Sequence, residues 1–282
     1  MLVISTVNGV RARRAEIANT ARRLAFVPTM GALHEGHLVL VRRGLELADE
    51  VWASVFVNPT QFAPGEDFDR YPRDLERDRA LLDQAGATLL FAPSAKEMYP
   101  SPTATVIDLP EFSRGLCGAH RPGHFGGVAL VVTKLLNIVQ PHVAVFGAKD
   151  WQQATVVRRL VADLCMPVRI EVHPTEREAN GLARSSRNAL LTPPERRAAA
   201  VLVRALGLAT VAVRAGERSG AALEAKVAAE VAGEPLARLQ YVAAVDPDTL
   251  APLATIRDRV LVALAVHVGT IRLIDNVLVE VS

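Results

Sequence analysis

The stretch LAFVPTMGALHEGHLVLVRRGLELADEVWASVFV, residues 24–57, decides the fold. Its short apolar run LAFVPT (24–29) predicts a β-strand, and GHLVLVRRGLELAD (36–49) has apolar residues at helical spacing. EVWASVFVNP (50–59) predicts a second strand, which ends at Asn58-Pro59. A strand, a helix and a strand of these lengths indicate a βαβ unit with two parallel strands.

The same alternation continues to about residue 174. Further elements are predicted as a helix at 73–86 that ends at a glycine, a strand at 87–93, a helix at 126–141, a strand at 142–147, a helix at 150–165 and a strand at 168–174. The sequence therefore predicts an α/β fold with a mostly parallel sheet flanked by helices. Ligands bind such sheets at the carboxyl ends of the strands, and the unusual polar residues of this chain follow predicted strands.

The pattern changes from about residue 190. An Ala-rich stretch with proline at its start (192–216) predicts one long helix, and a second helix is expected at 221–232. The segments LARLQYVAAVD and RDRVLVALAVHVGTIRLIDNVLVEV alternate and predict strands. We therefore expect two domains, a larger one at 1–175 and a smaller α+β domain at 176–282.

Composition excludes several classes of protein. The 282 residues include 32 basic and 30 acidic side chains, so the net charge of +2 does not indicate a nucleic-acid partner. Two cysteines cannot form a disulfide framework or a four-ligand zinc site. The N-terminal charges follow the apolar run, the wrong order for a secretory signal, and no run approaches the roughly 18–20 apolar residues of a membrane span. We expect a cytoplasmic protein without a membrane partner.

Two histidines three residues apart, His34 and His37, stand where a strand is expected to lead into a helix. A helix N-terminus favours anions, and both imidazoles can donate to phosphate oxygens. Gly36 would let a ligand approach the backbone closely. Zinc would need a third ligand. In a third interpretation the two histidines are surface residues that bind no ligand. Spacing alone leaves phosphate, metal and solvent open.

Two further stretches could bind a polar or anionic molecule. Asn58 and Gln61 follow a predicted strand, where neutral amides can hold a polar substrate. Arg121 and His124 flank a Pro-Gly turn, which suits either an anion-binding turn or an ordinary surface turn. Three charged residues are expected to be solvated, namely Asp67, Asp69 and Arg70.

Charged and hydroxyl side chains after residue 147 suit a triphosphate. Lys149 could neutralise it as a point charge, and Asp150 could either hold Mg²⁺ with the phosphates or cap a helix. Ser185, Ser186 and Arg187 supply two hydroxyls and a forked donor, in a stretch that suits either a lid or a flexible linker. Of the glutamines at 152 and 153, we expect only one to face the site.

Six motifs in order resemble the pantothenate synthetases, the pantoate–β-alanine ligases of the HxGH nucleotidyltransferase superfamily. They are PTMGALHEGH, FVNPTQF, YPRD, RPGHFGGV, FGAKDWQQ and SSRN. The resemblance implies a Rossmann-like domain with a smaller C-terminal lid domain, and a homodimer. It implies that ATP and pantoate form pantoyl adenylate and pyrophosphate with Mg²⁺, and that β-alanine then releases AMP and pantothenate.

The resemblance also implies roles for single residues. Those that would act on the ATP phosphates are His34, His37, Lys149, Ser185, Ser186 and Arg187. Those that would bind the rest of the nucleotide are Gly36, Gly147 and, through the ribose, Asp150. Those that would hold pantoate are Met30, Gln61 and Gln153, supported by Asn58, Tyr71, Arg121 and His124. No side chain is assigned as a metal ligand.

Four positions depart from the family pattern. Asn180 and Arg184 stand in NGLAR, where Asp-Gly-Leu-Ala followed by Met or Leu is usual, Ala148 stands where Glu is frequent, and Val is common at the position of Glu176. These changes keep two alternatives open, a divergent paralogue with weak or no ligase activity and another adenylyltransferase of this fold. The motifs FVNPTQF and RPGHF favour the ligase.

Overall fold

A six-stranded parallel sheet forms the first part of the chain in a computed structural model that describes residues 1–63, 66, 68–101 and 104–281. Its strands are β1 (Leu2–Ile4), β2 (Leu24–Thr29), β3 (Glu50–Val55), β4 (Leu89–Phe91), β5 (Val143–Gly147) and β6 (Arg169–His173). They lie in the order β1-β4-β3-β2-β5-β6 with every neighbouring pair parallel. The predicted α/β sheet is confirmed, and all its carboxyl ends lie at one edge.

Helices connect these strands. They are α1 (Val7–Ala18), α2 (Glu35–Leu47), α3 (Leu75–Ala85), α4 (Ala95–Met98), α5 (Pro110–Ser113), α6 (Cys117–His120), α7 (His124–Val139) and α8 (Trp151–Asp163). As predicted, Gly86 ends α3 in the left-handed conformation, at φ 96°. Asp69 and Arg70 are exposed as expected, whereas Asp67 lies outside the described residues.

The sequence analysis missed β1 and α1. Helix α1 reads VNGVRARRAEIA, in which only Val10 and Ile17 are buried, so it lacks the broad apolar stripe that marks an amphipathic helix. Thr6 starts the helix by accepting a hydrogen bond from the backbone N–H of Gly9 at 3.2 Å. Capping and two buried side chains define this helix where periodicity gives little signal.

Strands β2 and β3 are apolar on both faces because helices cover both sides of a parallel sheet. All side chains of β2 from Leu24 to Val27 are buried, as are those of β3 from Val51 to Ala53. One buried cluster joins this pair to α2 and α3 through Leu40, Val41 and Leu82. The continuous apolar runs that predicted the strands are therefore the centre of the core.

A three-stranded antiparallel sheet forms the C-terminal part of the chain. Its strands are β7 (Ala237–Val245), β8 (Arg259–Val268) and β9 (Ile271–Glu280), in that order. Alternate residues of β8, from Val260 to Val268, pack with the helices α10 (Val201–Arg214) and α11 (Gly220–Ala232). The predicted small α+β assembly is confirmed.

The single long helix expected after Thr192 is wrong in one respect. The structure divides it into α9 (Pro193–Ala198) and α10. Between them, Ala200 N–H donates to Arg197 O and Leu202 N–H donates to Ala199 O, both at 3.2 Å. These three-residue bonds replace the four-residue spacing of an α-helix, and an alanine pattern gives no sign of that change.

Contacts between Cα atoms divide the chain into two compact units. The first comprises 1–109, 121–148 and 156–174, and the second comprises 110–120, 149–155 and 175–282. The division at 175/176 into two domains stays a prediction. Among the helices described, none combines the length and apolar character needed to cross a membrane.

Two glycine-to-alanine changes should have opposite effects. At Gly127 on α7, a Cβ would lie 2.2 Å from the carbonyl oxygen of Thr60, so Gly127→Ala should lower the free energy of unfolding by about 1–3 kcal/mol. At Gly207 on α10, a Cβ would meet nothing within 4 Å, so Gly207→Ala should raise it by about 1 kcal/mol through helix propensity. Urea denaturation measures both, and equal signs would contradict the packing argument.

Candidate active site

A sharp turn carries the chain from β2 into α2. Gly31 has φ 84° and Ala32 has φ 51°, so two consecutive residues adopt the left-handed conformation. Gly31 N–H donates to Thr29 Oγ1 at 3.2 Å, and the Thr29 hydroxyl donates to Ser54 O on β3 at 2.7 Å. A Cβ at position 31 would lie 2.8 Å from a carboxylate oxygen of Asp78, which explains the glycine.

Asp78 on α3 holds this turn from beneath and was missed by the sequence analysis. Its Oδ2 accepts from Ala32 N–H at 2.9 Å and its Oδ1 from Leu33 N–H at 2.8 Å. Burial raises the pKa of the Asp78 carboxyl. Because the folded-state pKa lies above the unfolded one, this group lowers stability as the pH rises through that interval. The available signal was a carboxylate four residues before the buried Leu82, on the same helix face.

His34 and His37 cap the start of α2 reciprocally. His34 Nδ1 accepts from Gly36 N–H at 3.1 Å, and His37 Nδ1 accepts from His34 N–H at 3.3 Å. The ring centroids are 4.1 Å apart. A neutral ring that accepts at Nδ1 carries its proton on Nε2, and such N–H groups suit phosphate oxygens. The two histidines therefore lie together at a helix N-terminus, with the Gly36 amide engaged in the cap.

Metal binding by this histidine pair has little support. In the part of the chain that the structure describes, no group of three or more His, Cys, Asp or Glu side chains could hold a metal ion. A helix N-terminus also carries a partial positive charge, which favours an anion over a cation. Phosphate contact is the better interpretation of His34 and His37.

Two buried amides, Asn58 and Gln61, form a polar cluster beside the turn and contact the half-buried Met30. Gln61 Nε2 lies 2.9 Å from Met30 Sδ, and Asn58 Nδ2 donates to Gln61 Oε1 at 3.1 Å. Asn58 also donates to Gly127 O at 3.1 Å, and Tyr99, absent from the prediction, donates its hydroxyl proton to Asn58 Oδ1 at 2.8 Å. The structure thus brings together three side chains that the sequence analysis placed on the pantoate side.

Arg121 and His124 hold the main chain of the same cluster. His124 Nδ1 lies 2.8 Å from Gln61 O, and its Nε2 lies 3.0 Å from Arg121 Nη1. Arg121 also donates to both carboxylate oxygens of Glu66, at 2.8 and 2.7 Å, and holds the pKa of that carboxyl below its usual range. Their geometry fits a supporting role. Tyr71 is buried, with its ring 6.2 Å from that of Phe62.

In the chain after β5, Lys149 and Asp150 are neighbours at the start of α8. Lys149 Nζ lies 3.9 Å from Asp150 Oδ2, and the Lys149 side chain is 19% exposed. A Cβ at Gly147 would meet nothing within 4 Å, so the backbone there is open to a close approach. Ala148, where the family often has Glu, is buried.

The two glutamines of α8 have different surroundings. Gln152 is buried, accepts from Cys117 N–H at 3.0 Å and donates to Phe112 O and Gly115 O at 3.0 and 2.8 Å. These contacts occupy its amide within the protein, whereas Gln153 is only half-buried. The expectation that one of the two serves a substrate stays a prediction, and this geometry leaves Gln153 for that role.

The segment 176–188 is a folded turn. Glu178 N–H donates to Leu182 O at 2.8 Å, and Arg184 N–H donates to Glu176 O at 2.9 Å. Asn180, in place of the family's Asp, accepts from Leu182 N–H through Oδ1 at 3.1 Å. The substitution therefore preserves the acceptor that this turn uses.

The serine-arginine stretch continues from this turn. Ser185 Oγ accepts from Arg187 N–H at 3.3 Å and starts a short 3₁₀ turn that includes Ser186. Arg184 Nε is buried without a hydrogen-bond partner among the described residues. A buried donor in that state is costly, and an acceptor supplied by a ligand would satisfy it.

Known proteins match the whole chain. A family model described as Pantoate-beta-alanine ligase matches residues 2–278. The pantothenate synthetase of Moorella thermoacetica is 52% identical over 282 residues, with 100% of both chains covered. A pantothenate synthetase structure from Thermus thermophilus is 47% identical, with a TM-score of 0.92, 98% of this chain covered and 99% of that one. The chain belongs to the pantoate-beta-alanine ligase family.

A further family structure is the pantoate-beta-alanine ligase from Francisella tularensis, complexed with beta-gamma ATP and beta-alanine. It is 33% identical, with a TM-score of 0.82, and the match covers 99% of this chain and 97% of that one. Membership of the family confirms the expected ligase and its fold. Neither alternative, a divergent paralogue or another adenylyltransferase, is favoured by these matches.

Removal of the Asp78 carboxylate should loosen the turn before His34. Asp78→Ala leaves the N–H groups of Ala32 and Leu33 without acceptors, and each buried unpaired donor costs about 1–3 kcal/mol. We expect a lower free energy of unfolding and a higher KM for ATP, measured by urea denaturation and steady-state kinetics. The control is Asp83→Ala on the same helix, whose exposed ion pair with the N-terminus should contribute little. Equal effects of the two variants would contradict this role.

Proposed function

We propose that the chain joins pantoate to β-alanine in two steps, through pantoyl adenylate, with ATP as the second substrate. The geometry of the first compact unit carries the proposal. There the turn between β2 and α2 presents the His34–His37 pair, and Met30, at its start, contacts the Gln61 cluster. An anion-binding helix start and a neutral polar cluster thus share one turn, as a reaction between a phosphate and a small polar acid requires.

The first step transfers the adenylyl group. A carboxylate oxygen of pantoate attacks the α-phosphorus of ATP, and the bond from that phosphorus to pyrophosphate breaks. His34, His37, Ser185 and Ser186 donate hydrogen bonds to phosphate oxygens. Lys149 and Arg187 neutralise the charge that develops there. The side chains of Met30, Gln61 and Gln153 orient pantoate, and Asp150 contacts the ribose. Substrate supplies the nucleophile, so no activated serine or cysteine is needed.

The second step forms the amide. The neutral amine of β-alanine attacks the acyl carbon of pantoyl adenylate, the bond to AMP breaks, and the amine loses a proton. AMP is a good leaving group, because its phosphate oxygen carries the negative charge. Asn58, Tyr71, Arg121 and His124 support the pantoate cluster during both steps.

Mg²⁺ is part of the proposal as an ion bound to ATP. No side chain is assigned to the ion as a ligand, because Asp150, the carboxylate beside Lys149, is assigned to the ribose. Mg²⁺ usually keeps several waters and can be held largely through substrate phosphates. When bound, the ion supplies positive charge to the phosphate oxygens.

By resemblance to the family, we further propose a cytoplasmic homodimer. Light scattering of the purified chain tests the assembly directly, since one chain has a mass of 30.3 kDa. A monomer at micromolar concentration would contradict it.

The reaction is tested by AMP release from ATP and pantoate, with and without β-alanine. The two-step proposal expects pantoate-dependent exchange of pyrophosphate with ATP in the absence of β-alanine, and AMP release on its addition. Replacement of pantoate by other small acids tests the substrate. AMP formation that is insensitive to β-alanine, or exchange that is insensitive to pantoate, would contradict the proposal.

Loss of the His37 donor or of the Lys149 cation, both assigned to the ATP phosphates, should slow adenylate formation. His37→Ala and Lys149→Ala should each lower the rate of pyrophosphate exchange by about 100- to 1,000-fold, because they remove stabilisation of charge in the transition state. Circular dichroism should show an intact fold. The control is Lys96→Ala, which removes an exposed lysine on α4 and should exchange at the wild-type rate.

Arg184 should contribute to nucleotide binding. Replacement by the family's usual residue, Arg184→Met, removes a cation whose Nε is buried without a partner, so we expect the KM for ATP to rise and the chain to become no less stable. Steady-state kinetics at saturating pantoate measure the KM for ATP, and thermal unfolding measures the stability. An unchanged KM for ATP would refute this role.

A further inference from the structure

Two adjacent polar residues interrupt the apolar strand β9. Asp275 and Asn276 stand in IRLIDNVLVE and are 2% and 7% exposed. A buried carboxylate and a buried amide are unfavourable in a strand unless each has specific partners. Successive residues of a strand point to opposite faces of the sheet, so this pair can serve two different segments. Both partners of the pair lie in the second compact unit.

Asp275 holds the turn 176–188. Arg177 donates to Asp275 Oδ2 at 2.7 Å and to Oδ1 at 3.0 Å, a two-point pairing with a carboxylate whose side chain is fully buried. The same guanidinium donates to Gly181 O at 3.0 Å. Gly181 lies at the tip of the turn and has the left-handed conformation, at φ 85°. Arg177 stands at the start of the turn, so its bond to Gly181 O ties the start to the tip. Ser185 lies within this turn, two residues beyond the bridge between Arg177 and Ala183.

Asn276 holds the segment that carries Lys149. Its Nδ2 donates to the backbone carbonyl of Lys149 at 2.8 Å. Leu278 of the same strand and Trp151, two residues beyond that lysine, both pack against one buried cluster. Trp151 Nε1 also donates to Pro247 O at 2.8 Å. The sheet thereby fixes the main chain of Lys149. The hydrogen bond from Asn276 does not involve the lysine's ammonium group.

We propose that Asp275 and Asn276 are positioning residues for adenylate formation. One strand sets the places of Lys149 and of the Ser185–Arg187 stretch relative to each other, although neither strand residue reaches the substrate. The inference rests on the proposed function, which assigns both segments to the phosphates. A misplacement of about 1 Å in such groups can lower a rate on the order of 100-fold.

Stability alone is a poor explanation of this pair. Apolar residues of similar volume can replace a buried ion pair without loss of stability, so the carboxylate and amide are not needed to build the core. What apolar residues cannot do is bond one chosen carbonyl and one chosen guanidinium. The polar pair therefore fixes the position of the Lys149 segment relative to the Ser185–Arg187 stretch.

Isosteric variants of Asn276 test the proposal. Asn276→Asp keeps the shape but cannot donate to Lys149 O, and Asn276→Ala removes the side chain. Each should lower the single-turnover rate constant for pyrophosphate release on the order of 10- to 100-fold at saturating ATP and pantoate. The amplitude per enzyme should be retained, since it reports the folded active fraction. The control, Asn137→Asp, removes an exposed side-chain bond to Thr133 O and should leave the rate constant unchanged.

Arg177→Lys tests the other face of the strand and leaves the buried Asp275 carboxylate in place. Lysine keeps the charge opposite Asp275 but loses the fork that also reaches Gly181, so the rate constant should fall while the amplitude stays. A wild-type rate constant with a reduced amplitude, in the Asn276 variants or in Arg177→Lys, would show a merely structural role and overturn the proposal. An active wild type separates that result from failure of the proposed function, in which the wild type itself would show no pantoate-dependent exchange.

Discussion

The bonds from the Asp78 carboxylate to two backbone N–H groups are the interaction on which the N-terminal site depends. They fix Ala32 and Leu33 just before His34, the residue that caps the N-terminus of α2. The turn has left-handed conformations at 31 and 32, which a non-glycine residue adopts only when its surroundings enforce them. Burial of a carboxylate is unfavourable, as its raised pKa indicates, so its partners must account for its presence. The carboxylate shapes the backbone just before the proposed phosphate-binding histidines.

The C-terminal unit uses the same physical device. Asp275 is buried, accepts two bonds from Arg177 and also accepts from the N–H of Asn276 at 2.8 Å. In each unit a buried acidic side chain, itself assigned no substrate contact, organises a stretch that is proposed to bind substrate. Networks of this kind are rigid when every member is bonded. The backbone N–H of Asn276 adds a further bond to the Asp275 carboxylate. Positioning is thus distributed over residues outside the recognised motifs.

Local pattern predicted most of the longer elements and located the motifs, but long-range polar contacts lay outside its reach. The apolar run 24–29 predicted the strand β2, and the helix predicted at 36–49 corresponds to α2. Asp78 could have been noticed only as a charge on the buried face of a charged helix. The pairing of Arg177 with Asp275 joins residues 98 positions apart, and no spacing rule connects them. The break between α9 and α10 escaped because alanines suit both turn types.

The capping of α2 favours the proposed phosphate contact of two histidines that have metal-like spacing. Each ring uses its Nδ1 lone pair to accept a backbone N–H, from Gly36 for one and His34 for the other. A neutral imidazole that accepts at Nδ1 must carry its proton on Nε2. A metal would need a lone pair on Nε2, which would place a proton on Nδ1 against the backbone donor and break the cap. The bonds that cap the helix therefore favour a proton on Nε2 of each ring. An Nε2–H group can donate a hydrogen bond, and phosphate oxygens accept such bonds.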